Sequence, residues 1–169
     1  MKAIVCVDLK WGIGNKGKTL VEIPADLRFF RDTTMGNVVV MGRKTLETLP
    51  GGVPLRDRTN IVFSKNENFR IDGATVVHSL NELQEELKKY DKDRVYVIGG
   101  EHIYRLLLPY CDTCYVTKVD YSYQADRHFP DLDQCPKWKL AEEGEEETYF
   151  DIEYTFCTYK RINKVSGKD

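Results

Sequence analysis

Two strand-like runs in this chain stop in glycine and pass straight into a helix-like run: VVVMGRKTLE, Val38 to Glu47, and YVIGGEHIY, Tyr96 to Tyr104. Glycine at such a junction lets a ligand approach the backbone closely. The helix start beyond it offers free N–H groups and the positive end of a dipole, which suit phosphate. Two such junctions on one parallel sheet point to a dinucleotide laid across the strand ends. Each junction taken alone reads equally well as a tight turn. Neither is G-x-G-x-x-G or G-x-x-x-x-G-K-[ST], which disfavours an ordinary Rossmann dehydrogenase and a P-loop NTPase. Cations gather near the same ends. Arg43 and Lys44 open one helix, and Lys65 follows Ser64 at the end of another strand. A phosphomonoester takes such donors, with a hydroxyl to complete the shell. The set points to NADPH, which carries a 2′-phosphate that NADH lacks; the alternative is a solvated charged surface.

Asp26 is the most informative carboxylate. It falls in a first helical turn among Leu27, Phe29 and Phe30, and Phe30 shares its face four residues on. Desolvation disfavours an ionised carboxylate unless it is paired. Two readings stand: an exposed first-turn acid favoured by the helix dipole, or a carboxylate that grips a flat, amidine-like donor edge in bidentate fashion. Arg56 and Arg58 follow a Pro-rich loop, where one could pair with a ligand carboxylate. The nucleophile elbow G-x-S-x-G and the zinc motif H-E-x-x-H are both missing, and no metal is expected. Cys111 and Cys114 form a lone C-x-x-C that follows a helix and enters a strand. A redox pair usually opens a helix instead, so these two read as structural thiols.

The elements that must position these groups alternate. Buried strands are expected at Ala3–Val7, Asn37–Met41, Thr59–Ser64, Ala74–His78 and Arg94–Ile98. Helices are expected from Pro24 to about Thr34, over Arg43–Leu49, after Ser79, and from Gly100 to Leu108, where Pro109 stops the last. Pro24 suits a first helical position. Ser79 with Glu82 three residues on makes a capping box. The glycine-rich stretch Gly12–Gly17 reads as a long mobile loop. Two long strands, near Tyr115–Val119 and Asp151–Tyr159, close the chain, and a strand near Trp138–Ala141 joins the latter as a hairpin. The pattern is α/β: a central, mostly parallel sheet of about eight strands with flanking helices and an antiparallel C-terminal hairpin.

The 169 residues amount to one domain, taken as residues 1–162 followed by a polar tail, Asn163 to Asp169, expected to fray. A net charge of -2 leaves no electrostatic footprint for nucleic acid or an anionic membrane. No apolar run approaches the roughly 20 residues of a membrane helix. The N-terminus does not read as a signal peptide. Five cysteines, an odd count, fit reduced thiols in a cytoplasm.

Taken in order, GIG (Gly12 to Gly14), IPADLRFF (Ile23 to Phe30), VVMGRKTLE (Val39 to Glu47), RTNIVFS (Arg58 to Ser64), VIGGEHIY (Val97 to Tyr104), YVTKVD (Tyr115 to Asp120) and DRHFP (Asp126 to Pro130) resemble dihydrofolate reductase. The likeness spans essentially Met1 to Arg161. It implies hydride transfer from NADPH to C6 of dihydrofolate, with a proton arriving at N5. In this resemblance Asp26 anchors the pterin, Thr117 supports it by a hydrogen bond, and Tyr104 sits near the nicotinamide. Ile4, Val5, Cys6 and Ile98 line the slot for the two rings. Leu27, Phe30, Leu49 and Leu55 hold the aminobenzoyl ring, and Arg58 pairs with the α-carboxylate of the glutamate tail. Arg43, Lys44, Ser64 and Lys65 gather at the 2′-phosphate end. Gly42, Thr45, Gly99, Gly100, Glu101, His102 and Ile103 follow the pyrophosphate, with Ile13 and Gly14 on the covering loop. The resemblance also implies a cis Gly99–Gly100 bond and a monomer.

Two departures stand out. Thr19, Leu20 and Val21 replace the family's usual Leu-Pro-Trp, which predicts looser loop closure and altered binding of diaminopyrimidine antifolates. Glu101 puts an acid beside the expected pyrophosphate, and its side chain is expected to face away. The rival enzyme is an NADPH-dependent pyrimidine reductase of riboflavin synthesis, on the same fold. A rival of another class is a nucleotide-binding protein without turnover.

Overall fold

The computed structural model describes residues 1–162; the expected polar tail, Asn163 to Asp169, lies outside them. In chain order the elements are β1 (Lys2–Val7), β2 (Gly12–Asn15), β3 (Lys18–Thr19), α1 (Pro24–Thr34), β4 (Val38–Gly42), α2 (Arg43–Thr48), β5 (Thr59–Phe63), β6 (Ala74–Val77), α3 (Leu80–Leu87), β7 (Val95–Gly99), α4 (Glu101–Leu107), β8 (Thr113–Val119), β9 (Arg127–His128), β10 (Trp138–Glu143), β11 (Glu147–Tyr149) and β12 (Ile152–Arg161).

The main sheet runs β10-β12-β8-β1-β7-β4-β5-β6, with β11 added beside β12. Strands β8, β1, β7, β4, β5 and β6 are parallel to their neighbours among themselves. Strand β12 is antiparallel to β8, and β10 and β11 are antiparallel to β12. The β4 sequence shows why such a strand forms. Val38 and Val40 enter one apolar cluster and Val39 and Met41 another. Alternate side chains therefore bury on opposite faces, and a continuous apolar run is what a doubly covered parallel strand requires. All C-terminal ends of the parallel strands fall on one edge, where the first residues of α2 and α4 also begin.

Several local expectations hold. Pro24 opens α1, and its C-terminal end gives way to Gly36 at φ +76. The Ser79 Oγ accepts from the Glu82 N–H at 3.1 Å. Glu82 reaches back one residue further than a capping box prescribes, accepting from His78 N–H at 3.0 Å. Helix α4 ends at Leu107 and tightens into a 3-10 turn, Leu108–Tyr110, that contains Pro109. Both cysteines of the C-x-x-C are buried and unpaired in any disulfide. Burial pushes the Cys111 thiol up to about 12 and the Cys114 thiol up as well, which keeps both protonated and inert.

One expectation is overturned. Gly12–Gly17 is no open loop but part of a hairpin, in which Gly14 faces Thr19 and Asn15 faces Lys18. Lys16 and Gly17 form its two-residue turn with positive φ at both, as tight hairpins prefer. Strand β2 also pairs with β9, Gly12 opposite His128, giving a small sheet in the order β3-β2-β9. A four-residue strand with two glycines carries no periodicity to read, and its second partner, β9, is more than a hundred residues away. Among the described residues no helix is long and apolar enough to cross a membrane.

Candidate active site

A single cleft of about 1200 Å³ crosses the C-terminal edge of the parallel strands. Such an edge is where open α/β sheets take ligands. One end is walled by α1 and the other by the starts of α2 and α4; the small sheet leans over the middle.

At the α1 end, Asp26 projects into the cleft from the first turn, with Leu27 and Phe30 on the same wall. Its Oδ1 accepts from the Thr117 hydroxyl at 2.6 Å. Cys6 is the register partner of Thr117 on the adjacent parallel strand, so its thiol stands on the same side. Desolvation raises the Asp26 carboxyl above the ordinary carboxylate range; the Thr117 and Cys6 hydrogen bonds pull it partly back. Among the described residues no cation pairs with it. The exposed first-turn reading of Asp26 is thereby set aside. Thr117 itself does not line the cleft but supports Asp26 from behind.

Phe29 does not accompany Phe30. One helical step carries it about 100° round the axis, onto Tyr115 and Phe156, with ring centroids 6.0 and 5.2 Å away. Ile4, Val5, Cys6 and Ile98 form the floor, and Leu49 and Leu55 face Phe30 across it. Of the two arginines after the Pro-rich loop, only Arg58 lines the cleft. Its Nε donates to Thr34 Oγ1 at 3.1 Å and its Nη1 to the Arg56 carbonyl at 2.8 Å. Arg56 thus braces Arg58 through its backbone. Tyr104 is buried and donates to the Ile4 carbonyl at 2.7 Å; burial raises its phenol well above the usual range.

At the other end, Arg43, Lys44, Ser64 and Lys65 come together although the strands that carry them are separate. Arg43 lies 3.7 Å from Glu47 on its own helix, and Ser64 Oγ accepts from the Asn66 N–H at 3.2 Å. Thr45, His102 and Ile103 line the passage between the two ends. The floor there is bare backbone. A Cβ on Gly42 would meet Ile103 Cγ1 at 3.1 Å, and one on Gly99, whose φ is +121, would meet the Tyr104 ring at 3.2 Å. The Gly99–Gly100 bond is cis. Ile13 and Gly14 face this region from the hairpin. Gly42 and Gly99 thus let Ile103 and Tyr104 pack directly against the backbone, and a cleft with exposed backbone on its floor and three cations and a hydroxyl at its far end fits a dinucleotide carrying an extra phosphate.

The Glu101 carboxylate turns to the small sheet. Its Oε1 accepts from the His128 N–H at 2.7 Å, across to the small sheet. Thr19 is held in the hairpin, and Val21 packs with Ile23, Val119 and Tyr154. Sequence reasoning missed Asp8. This buried carboxylate ends β1 and accepts three backbone N–H bonds, from Lys10 at 2.9 Å, Gly12 at 2.8 Å and Tyr123 at 2.9 Å. An aspartate just past an apolar strand and four residues before a glycine was the available signal, since short carboxylates fold the following backbone onto themselves.

Comparison with known proteins agrees along the whole chain. The family model described as dihydrofolate reductase matches residues 1–161. A dihydrofolate reductase of Bacillus subtilis (strain 168) is 35% identical over 162 residues, covering 95% of this chain and 94% of that one. One from Mycobacterium tuberculosis (strain H37Rv) is 39% identical, covering 88% and 90%. Among solved structures, the Enterococcus faecalis dihydrofolate reductase complexed with NADP(H) and RAB-propyl matches with a TM-score of 0.84 and 32% identity, covering 96% of each chain.

Proposed function

This chain belongs to the dihydrofolate reductase family, and we propose that its cleft divides into a folate end at Asp26 and a cofactor end on the glycine floor. The enzyme is an NADPH-dependent oxidoreductase that reduces 7,8-dihydrofolate to tetrahydrofolate, in one-carbon metabolism. The riboflavin-pathway alternative and the reading without turnover are both set aside with that membership.

NADPH, when bound, supplies the hydride that reaches C6 of the pterin. The protein's part is to bind, orient and exclude water. Asp26 accepts from the 2-amino group and N3 of the pterin, a flat donor edge that matches two carboxylate oxygens. Thr117 fixes the carboxylate's orientation by donating to it. Ile4, Val5, Cys6 and Ile98 would line the slot for the two rings, and Tyr104, anchored on Ile4, would back the nicotinamide side of it. Leu27, Phe30, Leu49 and Leu55 surround the aminobenzoyl ring, and the braced Arg58 pairs with the α-carboxylate. Arg43, Ser64 and Lys65, with Lys44 beside them, take the 2′-phosphate; Gly42, Thr45, Gly99, Gly100, Glu101, His102 and Ile103 follow the pyrophosphate through backbone. Ile13 and Gly14 would close over the cofactor from the hairpin. Burial raises the Asp26 carboxyl above its ordinary value, which eases its protonation relative to a solvated aspartate, while the proton itself arrives at N5 through solvent at the hairpin.

The observation that carries this reading is a carboxylate in the cleft that no cation pairs with among the described residues, 2.6 Å from a hydroxyl that orients it. Absorbance at 340 nm tests it. A decline that requires both dihydrofolate and NADPH is expected; saturable NADPH binding with no oxidation would sink it. We infer a single reductase domain over residues 1–162 that works as a monomer on dihydrofolate and NADPH.

A further inference from the structure

The small sheet and the cofactor floor are joined by one carboxylate. Strand β9 is an edge strand, bonded to β2 on one side only. An edge strand leaves alternate N–H groups without a partner. Around β9 the inward bonds are Asp126 N–H to the Gly14 carbonyl at 3.0 Å and Phe129 N–H to the Trp11 carbonyl at 2.8 Å. The outward N–H is that of His128, and it donates to Glu101 Oε1 at 2.7 Å. A carboxylate acceptor at that length makes a charge-assisted bond, stronger than a backbone carbonyl would give. The other carboxylate oxygen lies 3.6 Å from Arg105 Nε, one turn along α4.

Both partners of this bond sit on elements that border the cleft. Glu101 is the first residue of α4, directly after the Gly99–Gly100 floor, and it lines the cleft. His128 faces Gly12 in β2, and residues Gly12, Ile13 and Gly14 line the same cleft from above. The second link between the two parts is apolar: the Tyr104 and Phe129 rings meet edge-on at 4.8 Å. Ring contacts set a spacing but tolerate sliding, whereas a short hydrogen bond fixes direction.

We propose that Glu101 is a positioning residue which transmits NADPH binding from the cofactor floor to the small sheet, ordering residues 12–19 over the cleft. The proposal rests on the assignment of the cofactor to the glycine floor. A ligand seated against Gly99 and Gly100 holds the first turn of α4, the carboxylate holds β9, and β9 holds β2. Glu101 touches the sheet rather than the reacting atoms.

Amide hydrogen exchange on the full chain tests this, with and without NADPH, in wild type, Glu101→Ala and Glu101→Gln. The side chain is about one-third exposed, and both replacements are tolerated in a helix, so the variants fold. NADPH binding is followed separately by quenching of protein fluorescence. In wild type NADPH slows exchange over residues 12–19. In Glu101→Ala NADPH still binds, but that slowing shrinks by about tenfold, the size of one charge-assisted bond. Glu101→Gln keeps an oxygen acceptor and retains most of it. In steady state Glu101→Ala lowers kcat more than it raises the KM for NADPH. If Glu101→Ala exchanges faster in both states but shows the same NADPH-dependent slowing as wild type, the bond is only a brace and the relay is overturned. Wild type that does not bind NADPH overturns the cofactor assignment and the relay together.

Discussion

Thr117 and Lys118 are neighbours on β8 and point to opposite faces of the sheet, and each meets an aspartate. On one face Thr117 donates to Asp26 at 2.6 Å. On the other, Lys118 Nζ sits 2.9 Å from Asp133 Oδ2 and 3.0 Å from the Tyr159 hydroxyl, which itself donates to Asp133 Oδ1 at 2.6 Å. Both aspartates lose solvent, and burial pushes both carboxyls up. For Asp26 burial wins and the pKa is raised. For Asp133 the Tyr159 and Lys118 hydrogen bonds and the Lys118 charge outweigh burial, and the pKa is lowered. Lys118 also lies 5.2 Å from the Trp11 ring, which closes that cluster against the start of the small sheet. The difference is the cation. An aspartate given its own ammonium partner is satisfied and holds structure. An aspartate given only a hydroxyl and a thiol is left with a carboxylate that a ligand can complete.

The two sites contribute to stability with opposite sign. Asp26, raised in the folded state, contributes stability that is present below the ordinary carboxylate pKa and is lost as pH rises through its raised value. Asp133, lowered, contributes stability that is present above the ordinary carboxylate pKa and is lost as pH falls through its lowered value. Replacing each by asparagine separates them most sharply. Asp26→Asn cuts turnover at neutral pH by roughly 10²–10⁴-fold, the range of a lost acid–base group, and abolishes the decline in hydride transfer as pH rises through the Asp26 pKa. Its melting temperature at neutral pH does not fall. Single-turnover kinetics across pH, with calorimetry, check both; an unchanged pH profile breaks the comparison.

Arg58→Ala tests the far end of the same face. It weakens dihydrofolate binding by roughly 10- to 100-fold, as expected for a lost charge-assisted contact, and leaves NADPH affinity alone. Titration of each ligand reads the two effects, and equal losses for both would assign Arg58 to folding instead. Thr117→Val removes the donor to Asp26. The carboxyl rises further, the alkaline limb of the pH profile moves to higher pH, and kcat/KM falls about tenfold. An unmoved limb would mean that the hydroxyl does not tune Asp26. Asp133→Asn is the smallest effect. With its side chain 43% exposed, solvent screening leaves about 1 kcal/mol, or a melting temperature lower by about 2–4 °C. Turnover per folded molecule stays unchanged at 25 °C. Lost turnover without lost stability would erase the distinction between the faces.

Legibility followed the range of each interaction. The β4 strand could be read because its apolar run satisfies two faces at once. Pro24 and Ser79 could be read because caps and first turns are made from neighbours in sequence. Asp26 was recognisable as an anomaly, an acid on the face that also carries Phe30. Its support was not readable from spacing, since Thr117 lies 91 residues away; only the family likeness supplied it. The hairpin at Gly12–Gly17 stayed hidden because its strands are too short to show a period; its Lys16–Gly17 turn was the local signal, and β9 and Asp8 complete its order. Glu101 was expected to help the helix start with its side chain turned from the pyrophosphate, and nothing local showed where that side chain would go. The unfilled N–H of an edge strand that takes it up has no signature in local sequence.

The chain by itself determined which segments become strands and helices, where glycine must leave the backbone bare, and which acid is out of place on an apolar face. Those properties rest on periodicity, capping and composition within a few turns of chain. Tertiary structure alone decided which of two neighbouring β8 side chains meets a cation-free carboxylate, which arginine enters the cleft, and where Glu101 ends. Each of those outcomes depends on the field and solvent exposure at a point assembled from distant strands, and on which side of the sheet a residue's parity has turned it.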